Sequence, residues 1–416
     1  MSEIPRSMDY AMSKAVAVNA DTNLRQFASN NGTTFSPTVN EIRINVAADG
    51  FLDGTKSYLY FTINNLNGTA GEALVLDNDA LCWIDQIRVE SQGSVLERLE
   101  RSAVYTNLKG RWQDGVGQVL ARNAKMGGPV SAASVGNDGL SLDEGTASTF
   151  ACKLPLGMLN AHHGRAIPAG GSFDIVIRVN ATAAQCFKWE SNGATAFSIT
   201  NPRFYAPVYR VDSPEVMSEY SQALQERGIM WSGDVVKTYI NSQTAGAGPK
   251  TAQINDRSLS LKSLITVVRS SAIVAAANSN SVGSSQLLGV TQMRYIISGQ
   301  NYPQDTVQYS ATDPGRLYEE AQKALAKDGE TYCEPTCSRA LFVATDLTGQ
   351  GILAVDLKRF DDEKLMMTGM NTASTAAPNL LEITGDANAV AADITTFAIC
   401  DSTFVLDGRG TITASA

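Results

Sequence analysis

Glu41-Ile42-Arg43-Ile44-Asn45-Val46 places an apolar side chain at every second position, and Ser57-Tyr58-Leu59-Tyr60-Phe61-Thr62-Ile63 repeats the signal after a short gap. A period of two sends alternate side chains to opposite faces, so both stretches read as half-buried strands. Their aromatic and β-branched residues suit a pleated surface. Asp53-Gly54 lies between them and Asn67-Gly68 follows, both turn signals. Cys82 to Glu90 reads as a further strand, ending before Gln92-Gly93.

Beyond Gly93 the period changes. Leu96, Leu99, Ala103, Val104 and Leu108 recur at three and four among charged residues, which predicts an amphipathic helix ending near Gly110. Residues 114–147 are rich in Gly and Ser and carry no clear element, as expected of a long surface excursion. Strands resume at Phe150 to Leu156, Phe173 to Val179 and Arg203 to Val211. Ser213 and Pro214 then open a predicted helix with Val216, Tyr220 and Leu224 on one face; Gly228 ends it. This helix is expected to seal the gap between two halves.

The order then repeats. Leu259 to Val268 and Gln292 to Ile297 read as strands, the latter corresponding to the Trp83 strand. A helix returns with Asp313 as cap, Pro314 at its start, Leu317, Ala321, Ala324 and Leu325 along one face, and Gly329 after it. Ala340 to Leu347 is matched to Phe150 to Leu156, and Asn379 to Thr384 to Phe173 to Val179. Thr396 to Ile399 and Thr403 to Leu406 match the strands near Arg203 to Val211. The expected division is an N-terminal arm at 1–36, a first domain at 37–212, a connecting helix and linker at 213–235, and a second domain at 236–416. Within the arm, Met8, Met12, Ala15 and Val16 follow helical spacing.

With 416 residues, 44% of them hydrophobic and 18% charged, the chain is long enough for two cores and too apolar to stay disordered. The net charge of −9 argues against a main surface that binds nucleic acid, because phosphate affinity comes from Lys and Arg. No window reaches the length of apolar residues that spans a bilayer. The first residues lack the apolar core of a secretory signal. Cys82, Cys152, Cys186, Cys333, Cys337 and Cys400 are scattered, mostly in apolar surroundings, and are expected to be buried free thiols in a protein made in a reducing cytosol.

Four local motifs touch on chemistry, and each has a plainer reading. His162-His163 lacks further ligands at metal spacing and reads as a solvated or interface pair. Cys333-Glu334-Pro335-Thr336-Cys337 has no partner pair, leaving a local disulfide or two free thiols. Gly50-Phe51-Leu52-Asp53-Gly54-Thr55-Lys56 fails the spacing of a phosphate loop and reads as a hairpin turn. Asp361-Asp362-Glu363 reads as a solvated acidic loop. No serine sits in a nucleophile elbow, and two histidines leave little for a triad. The expectation is no catalytic, cofactor-binding or metal site, and no enzyme.

The duplicated order, with a helix set midway in each half, resembles the double jelly-roll major capsid proteins of the tectivirus and adenovirus lineage. It looks most like those of virophages and polinton-like viruses. The residues carrying the resemblance are Phe51-Leu52-Asp53 leading to Ser57 to Phe61, and Ile84 to Glu90 followed by Gly93-Ser94-Val95-Leu96-Glu97. The C-terminal set is Thr368-Gly369-Met370-Asn371-Thr372, Leu380 to Ile383, Phe397 to Asp401, Val405-Leu406-Asp407 and Thr411-Ile412-Thr413.

The resemblance implies an all-β fold of two tandem eight-stranded jelly-roll β-sandwiches, each with a short inserted helix. It also implies homotrimeric, pseudo-hexameric capsomers that tile an icosahedral shell in the virion. Implied partners are further copies of the chain, a minor capsid or penton protein, and an internal membrane reached by the arm; no nucleic acid contact and no cofactor is implied. On this reading, 114–147 and 271–290 are tower or interface loops. The competing class is a lectin-like or receptor-binding β-sandwich, disfavoured because no aromatic cluster falls in the loops. A glycan hydrolase would need a converging carboxylate pair, which one sequence does not reveal.

Overall fold

The computed structural model describes residues 20–68, 72–113, 115, 121, 123–128, 138–181, 186–189, 196–275, 282–327, 330–346, 348–359, 367–373, 378–387 and 389–415. The first half contributes strands β1 (Ala20–Ala28), β2 (Glu41–Ala47), β3 (Tyr58–Asn65), β4 (Ile84–Ser91), β5 (Ser94–Glu100), β6 (Ala147–Cys152), β7 (Ser172–Val179) and β8 (Phe197–Val211). The second contributes β9 (Ile229–Gln243), β10 (Gly248–Ile254), β11 (Leu261–Ser270), β12 (Val290–Ile297), β13 (Gln300–Gln308), β14 (Ile352–Asp356), β15 (Asn379–Gly385) and β16 (Ala392–Leu406).

The sheets pair in the orders β1-β8-β3-β6 and β2-β7-β4-β5 in the first half, and β9-β16-β11-β14 and β10-β15-β12-β13 in the second. Each order in the second half is that of the first, shifted by eight strands. The first and third of these orders are the central paths of a six-stranded and a five-stranded sheet, and two antiparallel sheets wound in this order make a jelly roll, so the chain holds two in tandem.

Alternation explains the half-buried strands. In β3, Leu59, Phe61 and Ile63 are buried while Tyr58, Tyr60 and Thr62 are less so. Phe61 meets Trp83 edge to face, with ring centroids 5.2 Å apart. By contrast, nine of the ten residues of β11 are buried, because its sheet is covered on both faces.

Helix α1 (Ser102–Gln113) follows β5, and α3 (Gly315–Ala324) holds the equivalent place after β13, with α4 (Arg339–Val343) beyond it. The stretch Leu96 to Leu108 is therefore only partly helical. Gln92 and Gly93, both at positive φ, turn β4 back into β5, which pairs with β4 and not with a helical turn. The register shifts between Val89 and Glu90, opposite Leu96, so one extra residue spaces Leu96 and Leu99 three apart. A bulged strand thus imitates the helical period.

Three further expectations are corrected. Ala340 to Leu347 is not a strand: the Ser338 hydroxyl accepts from the Leu341 amide and caps α4, and the strand is β14. Helix α3 has its buried face at Leu317, Ala321 and Ala324, but Pro314 and not Asp313 stands at its cap. The helix between the halves, α2 (Pro214–Arg227), has no buried residue and lies on the surface, with only Leu224 packed against the first core. It straps the first roll, where the Tyr220 hydroxyl donates to the Ala169 carbonyl at 2.7 Å and its ring meets Phe51.

Ala20–Ala28, inside the stretch read as an arm, pairs along its length with β8. The Met8 to Val16 periodicity lies outside the described residues, as do most of 114–137 and Asp361 to Glu363. Of 271–290, Val282, Ser284, Ser285, Gln286 and Leu287 are buried. All six cysteines are buried free thiols, Cys333 and Cys337 included.

The two cores interlock. One gathers the first roll together with Trp231 and Val235 of β9, Phe404 and Leu406 of β16, and Ile412. The other gathers the second roll with Ala103, Val104, Tyr105, Leu108 and Trp112 of α1. Tyr105 packs on Phe397, and Trp112 on Tyr318 and Phe342. The first roll's helix is thus a wall of the second roll's core.

Candidate functional site

Where the rolls meet, the seam is polar at its centre. The loop after β6 brings Gly157 against Gly233 of β9, so closely that a Cβ on either residue would collide with the other strand's backbone. Ala161 bridges Gly233, and the next residue, His162, is thereby delivered to the second roll. Its Nε2 lies 3.2 Å from Asp234 Oδ1 and 3.6 Å from Asp401 Oδ1. Lys262 of β11, 3% exposed at its side chain, donates to Asp234 Oδ1 at 2.9 Å and lies 3.5 Å from Asp401 Oδ1. Asp401 Oδ2 accepts from the Ser260 hydroxyl at 2.6 Å and the Thr368 amide at 2.9 Å.

Glu97 of β5 holds the loop from the other side. Its carboxylate accepts from the Gly157 and Met158 amides at 2.9 and 3.1 Å. Burial pushes the Glu97 carboxyl up to about 7, against the pull of those two amides. His162 is raised, chiefly by its hydrogen bond to Asp234. Burial alone would raise Asp234; the hydrogen bond with His162 and the charge of Lys262 outweigh it and hold Asp234 well below the usual carboxylate range.

Two other contacts cross the seam. Arg101 donates to both Asp393 oxygens at 2.7 Å, a bidentate pair joining the end of β5 to β16. Asp77 accepts from the Val282 and Gly283 amides, and Arg111 donates to the Gly283 carbonyl at 2.6 Å. These contacts bury the 282–287 segment between the rolls.

His162, Asp234 and Asp401 are donor types that hold metals, and their ligand atoms lie within 4.8 Å of one another. Here a protein ammonium already stands among them, so the group works as a salt-bridge cluster. The sequence reading left His162-His163 as a solvated or interface pair; the structure brings His162 to Asp234, Asp401 and Lys262, which come from three strands of the other roll. No local spacing marks them. Gly50 to Lys56 is not a hairpin turn: the strands on either side lie in different sheets, Phe51–Leu52 pairs with β8, and Gly54–Lys56 forms a 3-10 turn in which Asp53 accepts from the Thr55 and Lys56 amides. Burial pushes the Cys333 and Cys337 thiols up to about 12, in Cys337 against the pull of the Arg111 charge.

The fold is the double jelly roll of viral major capsid proteins. The chain is similar to a protein of the PBCV-1 virus capsid quasi-atomic model, with TM-score 0.67 and 9% identity over 97% of this chain and 98% of that one. It is similar to the Faustovirus major capsid protein, with TM-score 0.63 and 10% identity over 93% and 91%. It also matches a chain of the Sputnik virophage structure, with TM-score 0.57 and 15% identity over 100% and 92%. No family model matches the sequence, and no curated protein does. The likeness lies in the backbone path and not in shared residues.

Proposed function

We propose that this chain is a viral major capsid protein, located in the virion, with a structural and not a catalytic role. Fold similarity along nearly the full length of known capsid chains supports the reading. We further propose that it forms homotrimers in which six rolls make a pseudo-hexagonal capsomer, and that these tile an icosahedral shell. On this reading a minor or penton protein closes the vertices, the N-terminal residues reach an internal membrane, and nucleic acid is not bound directly. The division into an arm at 1–36, rolls at 37–212 and 236–416, and a connector at 213–235 is kept as a working partition, with β1 and the start of β9 belonging to the sheets.

One observation carries the trimer. In the β9-β16-β11-β14 sheet, β16, β11 and β14 are buried along nearly their whole length, with α1 and α3 packed against them, whereas the β1-β8-β3-β6 sheet turns Leu24, Tyr58, Tyr60, Tyr205 and Tyr209 outward. Leu24 is 58% and Tyr60 40% exposed, and Tyr58 stacks on Tyr205 at 5.3 Å between centroids. Tyrosine-rich faces are typical of protein contacts. A ring of three chains covers each such face with the neighbour's second roll, a head-to-tail contact that closes. Solution mass of the purified protein tests this, with negative-stain images: trimers of hexagonal outline are expected. A stable monomer that binds glycans would overturn the capsid reading in favour of a lectin-like module.

A further inference from the structure

Inside the seam a small cavity of about 20 Å³ lies between α1 of the first roll and the 282–287 segment, β11 and β14 of the second. A space of about 10–15 Å³ is enough to hold one water molecule, so this cavity is of single-water size. Much of its wall is apolar, formed by Val104, Leu108, Trp112, Val267 and Ile352. Two polar side chains enter that wall from opposite rolls, Asn107 from α1 and Ser284 from the buried segment. Asn107 is 3% and Ser284 2% exposed. Among the described residues, neither Asn107 Nδ2 nor Ser284 Oγ has a hydrogen-bond partner.

Buried polar groups in folded proteins are nearly always paired, with protein or with ordered water. The other polar side chains nearby are already engaged. Arg111 donates to the Gly283 carbonyl at 2.6 Å and to Asn78 Oδ1 at 3.3 Å, and the Ser285 hydroxyl donates to the Gly351 carbonyl. Asn107 stands one helical turn before Arg111, so both reach the same segment of the second roll. Arg111 makes its contact directly; Asn107 is left facing a space that one small polar molecule fills.

We propose that this cavity is a binding site for a single ordered water molecule, which accepts from Asn107 Nδ2 and donates to Ser284 Oγ. Gly283 and Ser285 also line the cavity and carry acceptor oxygens for its second hydrogen. Three bonds is the usual number for a buried water. The molecule thus ties α1 of the first roll to the 282–287 segment of the second, as a water-mediated counterpart of the Arg111 contact. The site stands apart from the capsid reading and does not depend on it.

A crystal structure of the full chain, at a resolution that shows ordered waters, tests the site. One peak is expected at hydrogen-bonding distance from both Asn107 Nδ2 and Ser284 Oγ, about 2.6–3.2 Å from each. It should be the same in crystals grown from sodium chloride and from caesium bromide, whose heavier ions would scatter more strongly. Chemical denaturation of Ser284→Ala, Asn107→Leu and the double variant gives a second readout. Either single change strands one bond of the water and should raise the ratio of unfolded to folded chain about five- to tenfold. The double variant leaves no polar pair to satisfy, so its effect should fall well short of the product of the two singles. Single effects that multiply would overturn the site. So would an empty cavity, a peak that strengthens with the heavier salt, or a direct bond between Asn107 and Ser284. The parent crystal decides even where a variant fails to fold.

Discussion

His162 Nε2 stands 3.2 Å from Asp234 Oδ1, and this contact runs from the first roll to the second. The groups facing it are Asp234, Asp401 and Lys262 from three strands of the second roll, with Glu97 and Tyr105 from the first roll close enough to act on Asp234 or be acted on by it. His162 holds its proton more tightly folded than unfolded, so its contribution is complete below the ordinary histidine value and is lost as pH rises through the raised one. Glu97, pushed from 4.5 to about 7, works in the same direction: the folded state binds its proton more tightly, and stability falls as pH rises from 4.5 through 7. Asp234 acts in the opposite sense, giving stability above the ordinary carboxylate value that is lost in stronger acid.

The seam is therefore expected to be firmest in mild acid and to loosen as pH climbs past neutrality. Melting temperatures between pH 5 and 9 should fall on the alkaline side. Glu97→Gln removes one titration and should flatten that fall, while lowering stability at every pH because its amide nitrogen faces one of the two backbone N–H groups that Glu97 accepts from. His162→Gln should lose stability at pH 6 and little at pH 9. A parent whose melting point rises steadily from pH 6 to 9 would refute the account.

Gly157 and Gly233 touch backbone to backbone. Alanine at either position has no room, and overpacking there should cost about 1–3 kcal/mol. Chemical denaturation of Gly157→Ala measures this; a neutral result would mean that the loop shifts freely and does not locate His162.

Trp112 is 1% exposed and packs on Tyr318 and Phe342. Trp112→Ala should destabilise the fold by about 3–5 kcal/mol. Because the residue belongs to the first half and its pocket to the second, both rolls should melt in one transition in the parent. Two separated transitions in calorimetry would contradict the interlocked cores.

Tyr60 and Tyr205 pack edge to face at 5.9 Å on the bare sheet. Tyr60→Ser with Tyr205→Ser should leave the unfolding free energy within about 1 kcal/mol of the parent, as for surface changes. The same pair should shift sedimentation from trimer toward monomer. Unchanged trimers would place the contact elsewhere.

Strands with one wet face announced themselves. Ile42, Ile44 and Val46 alternate with polar residues because β2 has solvent on one side. Strand β11 has none, so its alternation is gone, and only its β-branched run marked it. The Leu96 bulge misdirected the helix start for the same reason that it exists: an extra residue breaks the period. Helix α1 looked amphipathic, yet Asn107 and Arg111 on its polar side are buried too, with Arg111 bonded to Gly283 and Asn78. The seam cluster was least legible, since His162, Asp234, Lys262 and Asp401 are joined by pairing between rolls and by no motif along the chain.

The exchange of core residues sets an order of events during synthesis. When the first roll has left the ribosome, α1 is complete, but the sheet that receives Tyr105 and Trp112 has not been made; its strand with Phe397 lies near the end of the chain. Until then the nascent protein carries an uncovered greasy flank. A chain interrupted between the halves would not yield a tidy single-roll product but an aggregation-prone fragment.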